Sequence, residues 1–284
     1  MKTILTLLVS GLFAILLPAT LASAAAKTDQ IVITYQKPKN PAHMAIYEDV
    51  KKRKILERLK EFLSPFRLPR PVKVQMAGCD SDASADYWEG EITICYEFVE
   101  RLLKNMPDEI TWAGVAPIDT VIGPFFDTVL HEFSHAVFDM LFIPIFGREE
   151  DAADQLAAYL YLQLNEAEAR RLVLGTVYNY LVVETNDADS AQSAKEFIED
   201  SAETHSFPSQ RAYNLMCVAY GANSKLFEDL VPTKLLPDER AEVCVEEFEQ
   251  LQQAYRDLIE PHIDSDLADD VFEKSWLRKM SDQK

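Results

Sequence analysis

The chain has 284 residues, 48% of them hydrophobic, which is enough for one sizeable core or at most two small ones. Its formal net charge is −19, so nucleic acid and anionic lipid are poor electrostatic partners and neither is expected as a ligand.

The first segment, "MKTILTLLVSGLFAILLPATLASAAAK", has the layout of a secretory signal. Lys2 supplies the positive charge, an apolar run extends from Ile4 to about Leu17, Pro18 breaks it, and Ala22-Ser23-Ala24 offers small residues for cleavage. Residues 1–24 are therefore expected to be removed on export. That leaves a single domain over 27–284, periplasmic or secreted, with no stable membrane insertion. A retained anchor competes, since the run is almost long enough to span a bilayer. The helix breaker and the small-residue end favour cleavage.

"IVITY" (31–35) alternates and is β-branched, so it reads as a strand. "PKNP" is a turn. Residues 43–63 read as helix, with Met44, Ile46, Tyr47, Ile55, Leu56, Leu59, Phe62 and Leu63 as a core stripe. "PRPVKVQMAGC" gives a second strand, "ADYWEGEITICYE" a hairpin turning at Glu89-Gly90, and "YEFVERLLKNM" a helix. After "GPFFDT" a helix spans roughly 127–142, interrupted by Pro144 and Gly147. A second starts near Arg148 and a third at Asn165. "NDADSAQSAKEFIEDSAETHSFPSQ" is a polar connection carrying a short helix, and the chain from Ser209 is mostly helical with a break at "PTKLLPDER". Strands first and helices afterwards argue for an α+β fold: a small N-terminal antiparallel or mixed sheet, then a mostly helical C-terminal half.

Export would place the four cysteines in an oxidising compartment, where an even count favours disulfides. Cys79 and Cys95 flank the predicted hairpin, and Cys217 and Cys244 lie on neighbouring predicted helices, so of three possible pairings these two are expected. A zinc site of cysteines would need close Cys-x-x-Cys pairs, and the sequence has none.

The stretch 131–154, "HEFSHAVFDMLFIPIFGREEDAAD", carries the chemistry. On a helix, His131 and His135 lie one turn apart on one face, which suits two ligands of one tetrahedral zinc. Glu132 is offset by about 100°, poorly placed as a ligand beside them but able to reach a water at the metal as general base. A core helix with two satisfied histidines is the bland alternative. A glutamate beside a buried helix face would then lack a reason, because burying an unpaired carboxylate is costly.

A catalytic zinc wants a third protein ligand and one open position. Glu150 and Asp154 are four apart on the next helix, so Glu150 can bind the metal while Asp154 accepts from a ligand histidine and fixes its tautomer. Asp151 is the weaker alternative ligand. Glu149 points elsewhere once the helix has begun and serves the helix N-terminus. Taken alone, the cluster would read as solvated N-terminal acids. Asp139 reads as structural, with Arg148 a possible partner.

H-E-x-x-H followed by E-x-x-x-D resembles the gluzincin metallopeptidases, and "EDAAD" is similar to the E-x-x-A-D pattern of a membrane-peptidase branch of that clan. The mature chain also resembles a family of exported bacterial proteins labelled as metallopeptidases, whose biology is largely unassigned. "EITICYE", "HEFSHAVFD", "FGREEDAADQLA", "HSFPSQRAYNLMCVAYG" and "RAEVCVEEFEQL" carry that resemblance. It implies a zincin-like fold with an active-site helix pair, Zn2+ held by His131, His135 and Glu150, Glu132 as catalytic base, and hydrolysis of peptide or protein substrates. His205, before a later helix, would donate to the oxyanion, or else sit at the surface; Arg211 could serve the transition state or pair with a carboxylate. The segment "SADYWEG" departs from the family in being shorter and lacking an asparagine, which bears on substrate preference. A metal-stabilised, non-catalytic binding protein of the cell envelope is the alternative function.

Overall fold

The computed structural model describes residues 30–80, 84–111, 114–187 and 202–277. The expected signal segment, and most of the polar connection over 186–210 with its short helix, lie outside them. Among the described residues the fold is α+β, a small mixed sheet followed by a mostly helical C-terminal half.

Four strands form the sheet in the order β1-β2-β4-β3. Strand β1 (Ile31–Tyr35) pairs parallel with β2 (Val72–Ala77), β2 pairs parallel with β4 (Glu91–Cys95), and β3 (Ala85–Trp88) closes antiparallel on β4. Val72, Val74, Met76, Ile92 and Ile94 are fully buried, as β-branched and apolar side chains on a pleated sheet face demand. Glu89 and Gly90 both take positive φ (46° and 93°), the backbone that a two-residue hairpin turn requires.

The helix expected over 43–63 divides into α1 (Met44–Lys52) and α2 (Ile55–Leu63) at Lys54, whose φ of 56° is left-handed. A tertiary contact supports the break. The Tyr35 hydroxyl accepts from Leu56 N at 2.8 Å and donates to Glu57 Oε2 at 2.8 Å, satisfying a first-turn amide that would otherwise lack a partner. The two helices, expected there as one, cross between the parallel strands β1 and β2 and make a βαβ unit, which the reading of strands first and helices afterwards did not include.

The remaining helices are α3 (Tyr96–Lys104), α4 (Asp119–Leu141), α5 (Glu149–Leu162), α6 (Glu166–Asp187), α7 (Pro208–Ala222), α8 (Asp238–Leu258) and α9 (Ser265–Phe272). Helix α4 begins eight residues before the expected start at 127 and runs through Gly123-Pro124. Packing overrides the breaker signal. Gly123 and Gly175 bring α4 and α6 together at backbone distance, and Arg171 of α6 grips Asp119 at the α4 N-terminus with contacts of 2.6–3.1 Å. A Cβ on Gly175 would lie 2.0 Å from Asp119 O, and backbone cannot yield as a flexible side chain can. Gly175→Ala is therefore expected to destabilise the protein by about 2–3 kcal/mol despite the better helix propensity of alanine, lowering the melting temperature by roughly 5–10 °C. A melting temperature at or above wild type would show that the helices can part without cost.

Both expected disulfides are present, Cys79–Cys95 joining the end of β2 to the end of β4 and Cys217–Cys244 joining α7 to α8. One apolar cluster extends from Ile31 to Leu277, with Phe62 of α2 edge-on to Phe126 of α4 and to Trp276 near the end of the described chain. No helix among the described residues is long and apolar enough to cross a membrane.

Candidate metal centre

Helix α4 is the spine of the site. It is buried on nearly every side, flanked by α5, α6 and the β3–β4 hairpin, so its polar side chains must find partners within the protein. At its C-terminus Phe142 turns left-handed (φ 53°), the chain reverses through Pro144 and Gly147 (φ 104°), and α5 returns beside α4. Tyr87 Oη donates to Asp139 Oδ2 at 2.6 Å, and Arg70 donates to the same oxygen at 3.1 Å, so Asp139 ties α4 to β3 and not to Arg148.

His131, His135 and Glu150 converge. His131 Nε2 and His135 Nε2 are 3.1 Å apart, and Glu150 Oε2 lies 3.0 Å from the first and 3.2 Å from the second. Donors at ordinary bond lengths around a tetrahedral zinc are about 3.3 Å from one another, so this triangle is close to one face of such a tetrahedron. The outer ring nitrogens are held by carboxylates. His131 Nδ1 donates to Asp154 Oδ1 at 2.7 Å, and His135 Nδ1 donates to Glu149 Oε1 at 2.8 Å. Those bonds keep Nδ1 as the donor in each ring and turn both Nε2 atoms toward Glu150 Oε2, where loss of the Nε2 proton gives the tautomer that metal-binding histidines require.

The electrostatics fit a cation. Burial disfavours the His131 imidazolium, but hydrogen bonds to Asp154 and Glu150 outweigh it and lift its pKa to about 9. Glu150 is held well below the usual carboxylate range by His131, His135 and His205. Burial would raise Asp154, yet His131 and Arg211 bring it to about 2. A centre that favours the charged form of both converging imidazoles, with one carboxylate beside them, is the donor set a catalytic zinc takes. Among the described residues the other cluster with metal-ligand chemistry is Cys79, Cys95 and Glu97, and its cysteines are spent on a disulfide.

Glu132 follows His131 but faces a cleft of about 800 Å³, walled by β3 (Ala85, Asp86, Tyr87) on one side and by residues 202–205 on the other. Its carboxyl is nearly buried, and burial pushes its pKa up, against the pull of both histidines. His205 enters from the opposite wall. Its Nε2 is 2.9 Å from Glu150 Oε2 and its ring stacks on His131 at 5.5 Å.

Two acids behave differently from the expectation, and Arg211 takes the second of its two alternatives, a carboxylate partner. Glu149 partners His135 because the two nitrogens of one imidazole face opposite ways, so adjacent acids on the first turn of α5 can take one each. Asp151, the weaker candidate ligand, instead accepts from Ser206 Oγ at 2.7 Å. Arg211 grips Asp154 through Nε and Nη2 at 2.7 and 2.6 Å and does not line the cleft. Arg148, which no motif marked, donates to Glu203 O, to His205 O at 3.3 Å and to Ser206 Oγ at 3.3 Å, clasping the His205 segment to the start of α5. Arg148→Ala should therefore speed amide hydrogen exchange over 203–206 about tenfold or more with little change in α4. Unchanged exchange there would mean that the clasp carries no weight.

No curated protein and no solved structure matches this chain. Residues 35–259, a span that includes strands β2 to β4, α4, α5 and the His205 segment, match the model of the DUF4344 family, described as "Putative metallopeptidase", and the chain belongs to that family.

Proposed function

We propose that the protein is a zinc-dependent peptidase with a zincin-like active site of gluzincin type, acting as a single exported domain. The observation that carries the reading is the triangle of His131 Nε2, His135 Nε2 and Glu150 Oε2, with edges of 3.0–3.2 Å, set at the cleft beside the buried Glu132. His131, His135 and Glu150 would hold the zinc, which supplies an acidified water and a polarised scissile carbonyl when bound. Glu132 takes a proton from the attacking water on its carboxylate oxygen and hands it to the leaving amine nitrogen. Burial favours that role, because a carboxyl raised from its usual range is a better proton carrier near neutral pH.

His205 Nε2 donates toward the carbonyl oxygen as negative charge builds there. The substrate lies along β3, the outermost strand on that side of the sheet, whose Ala85, Asp86 and Tyr87 face the cleft. Asp86, Glu149 and Glu203 give the cleft an acidic lining that favours neutral or basic peptides over acidic ones. Two disulfides suit an oxidising compartment, periplasmic or extracellular.

The test is metal content and cleavage of a peptide library by the chain lacking residues 1–24. Stoichiometric zinc, cleavage abolished by a chelator and restored by zinc are expected. No bound metal rejects the scheme. Zinc without cleavage across the library supports the non-catalytic binding protein instead.

A further inference from the structure

Behind the triangle, away from the cleft, a chain of buried polar groups links four helices. Asp154 of α5 spends both oxygens: Oδ1 accepts from His131 Nδ1 at 2.7 Å and from Arg211 Nη2 at 2.6 Å, and Oδ2 accepts from Arg211 Nε at 2.7 Å. The Arg211 guanidinium of α7 lies 4.7 Å from the centre of the Tyr180 ring of α6. Tyr180 Oη donates to Asp127 Oδ2 at 3.0 Å, and Tyr161 Oη donates to Asp127 Oδ1 at 3.1 Å. Asp127 is one helical turn before His131 on α4, so the circuit closes on the ligand it began from.

We infer that Arg211 is a positioning residue that sets the metal affinity of the centre, acting through Asp154 on His131. This rests on the proposed zinc site. The geometry gives the reason for arginine. A rigid fork holds both carboxylate oxygens at once, so Asp154 cannot rotate away from His131 Nδ1–H. Tyr180 supplies an aromatic surface for the cation, and Asp127, anchored by two tyrosines, fixes Tyr180 in turn. Without Arg211, Asp154 Oδ2 would lose the bidentate cation that holds it, in a place where only about 10 Å³ is free beside the guanidinium. His131 would then lose the partner that orients its ring and strengthens it as a donor.

The experiment is competition of zinc alone against a chromophoric chelator, with folding followed by circular dichroism. Arg211→Met should weaken zinc binding about 10–100-fold, and Arg211→Lys should recover part of that loss, since lysine offers charge without the fork. In an Asp154→Asn background, where the acceptor charge is already gone, Arg211→Met should change zinc affinity by less than about threefold. That double variant also removes both buried charges together, which keeps the comparison open if Arg211→Met alone folds poorly. Wild-type affinity in Arg211→Met overturns the inference, as does an equal loss in both backgrounds, which would mean that Arg211 acts on the fold and not through Asp154. Zinc binding by wild type that His131→Ala abolishes marks the site itself as sound in either case. Absence of zinc from wild type instead rejects the site and this inference together.

Discussion

Glu132→Gln is expected to abolish peptide cleavage, by about 10²–10⁴-fold or more in kcat, while leaving the zinc content of the protein unchanged. Glutamine keeps the shape of the side chain and its place at the cleft but cannot take a proton from water. The carboxyl of Glu132 makes none of the contacts that define the triangle, so its loss should not disturb His131, His135 or Glu150. Removing a buried carboxylate also spares the fold the cost of holding it, so the variant should melt at or above the wild-type temperature. The readout is kcat and KM on a peptide taken from the library profile, with metal analysis on the same sample. Activity within a few-fold of wild type would remove Glu132 from the mechanism. Loss of zinc would make it a ligand.

Glu150→Ala should have the larger effect on the metal. Its Oε2 is the shared neighbour of three imidazoles, at 3.0, 3.2 and 2.9 Å from His131, His135 and His205. Its replacement leaves two ligands, too few for a tight catalytic zinc site, and the loss should exceed the 10–100-fold typical of residues that only orient a ligand. Zinc at about 100 times its dissociation constant stabilises a folded protein by roughly 2.7 kcal/mol, which in a chain of this size raises the melting temperature by about 5–10 °C. Wild type should show that shift and Glu150→Ala should not. Asp151→Asn should keep it, because Asp151 is engaged with Ser206. The opposite pattern, with the shift lost in Asp151→Asn and retained in Glu150→Ala, would move the third ligand one residue along.

Legibility in the sequence followed the range of the interactions. The strand at 31–35, the hairpin turn at Glu89-Gly90 and the pairing of the four cysteines depend on neighbours close along the chain or on adjacent elements, and each is where its residues imply. The break at Lys54 was hidden because it depends on Tyr35, 21 residues before the amide that it caps. The early start of α4 was hidden because Gly123-Pro124 signals a stop locally, whereas the contact with Gly175 that rewards a continuous helix lies about 50 residues on.

The candidate centre divides the same way. Two periodicities written in the sequence, histidines four apart and acids four apart, put His131 with His135 and Glu150 with Asp154 on single helix faces whatever the rest of the chain does. Which faces meet was decided by the reversal through Phe142 and Gly147, and by α6 and α7 closing around them. Only that packing turned Glu149 onto His135, gave Asp151 to Ser206, locked Arg211 to Asp154 and brought His205 against Glu150. Helical spacing is a property of the backbone and survives in any context. The partner of a charged side chain is chosen by whichever opposite charge or donor the fold buries beside it, and burial is not written in any one segment.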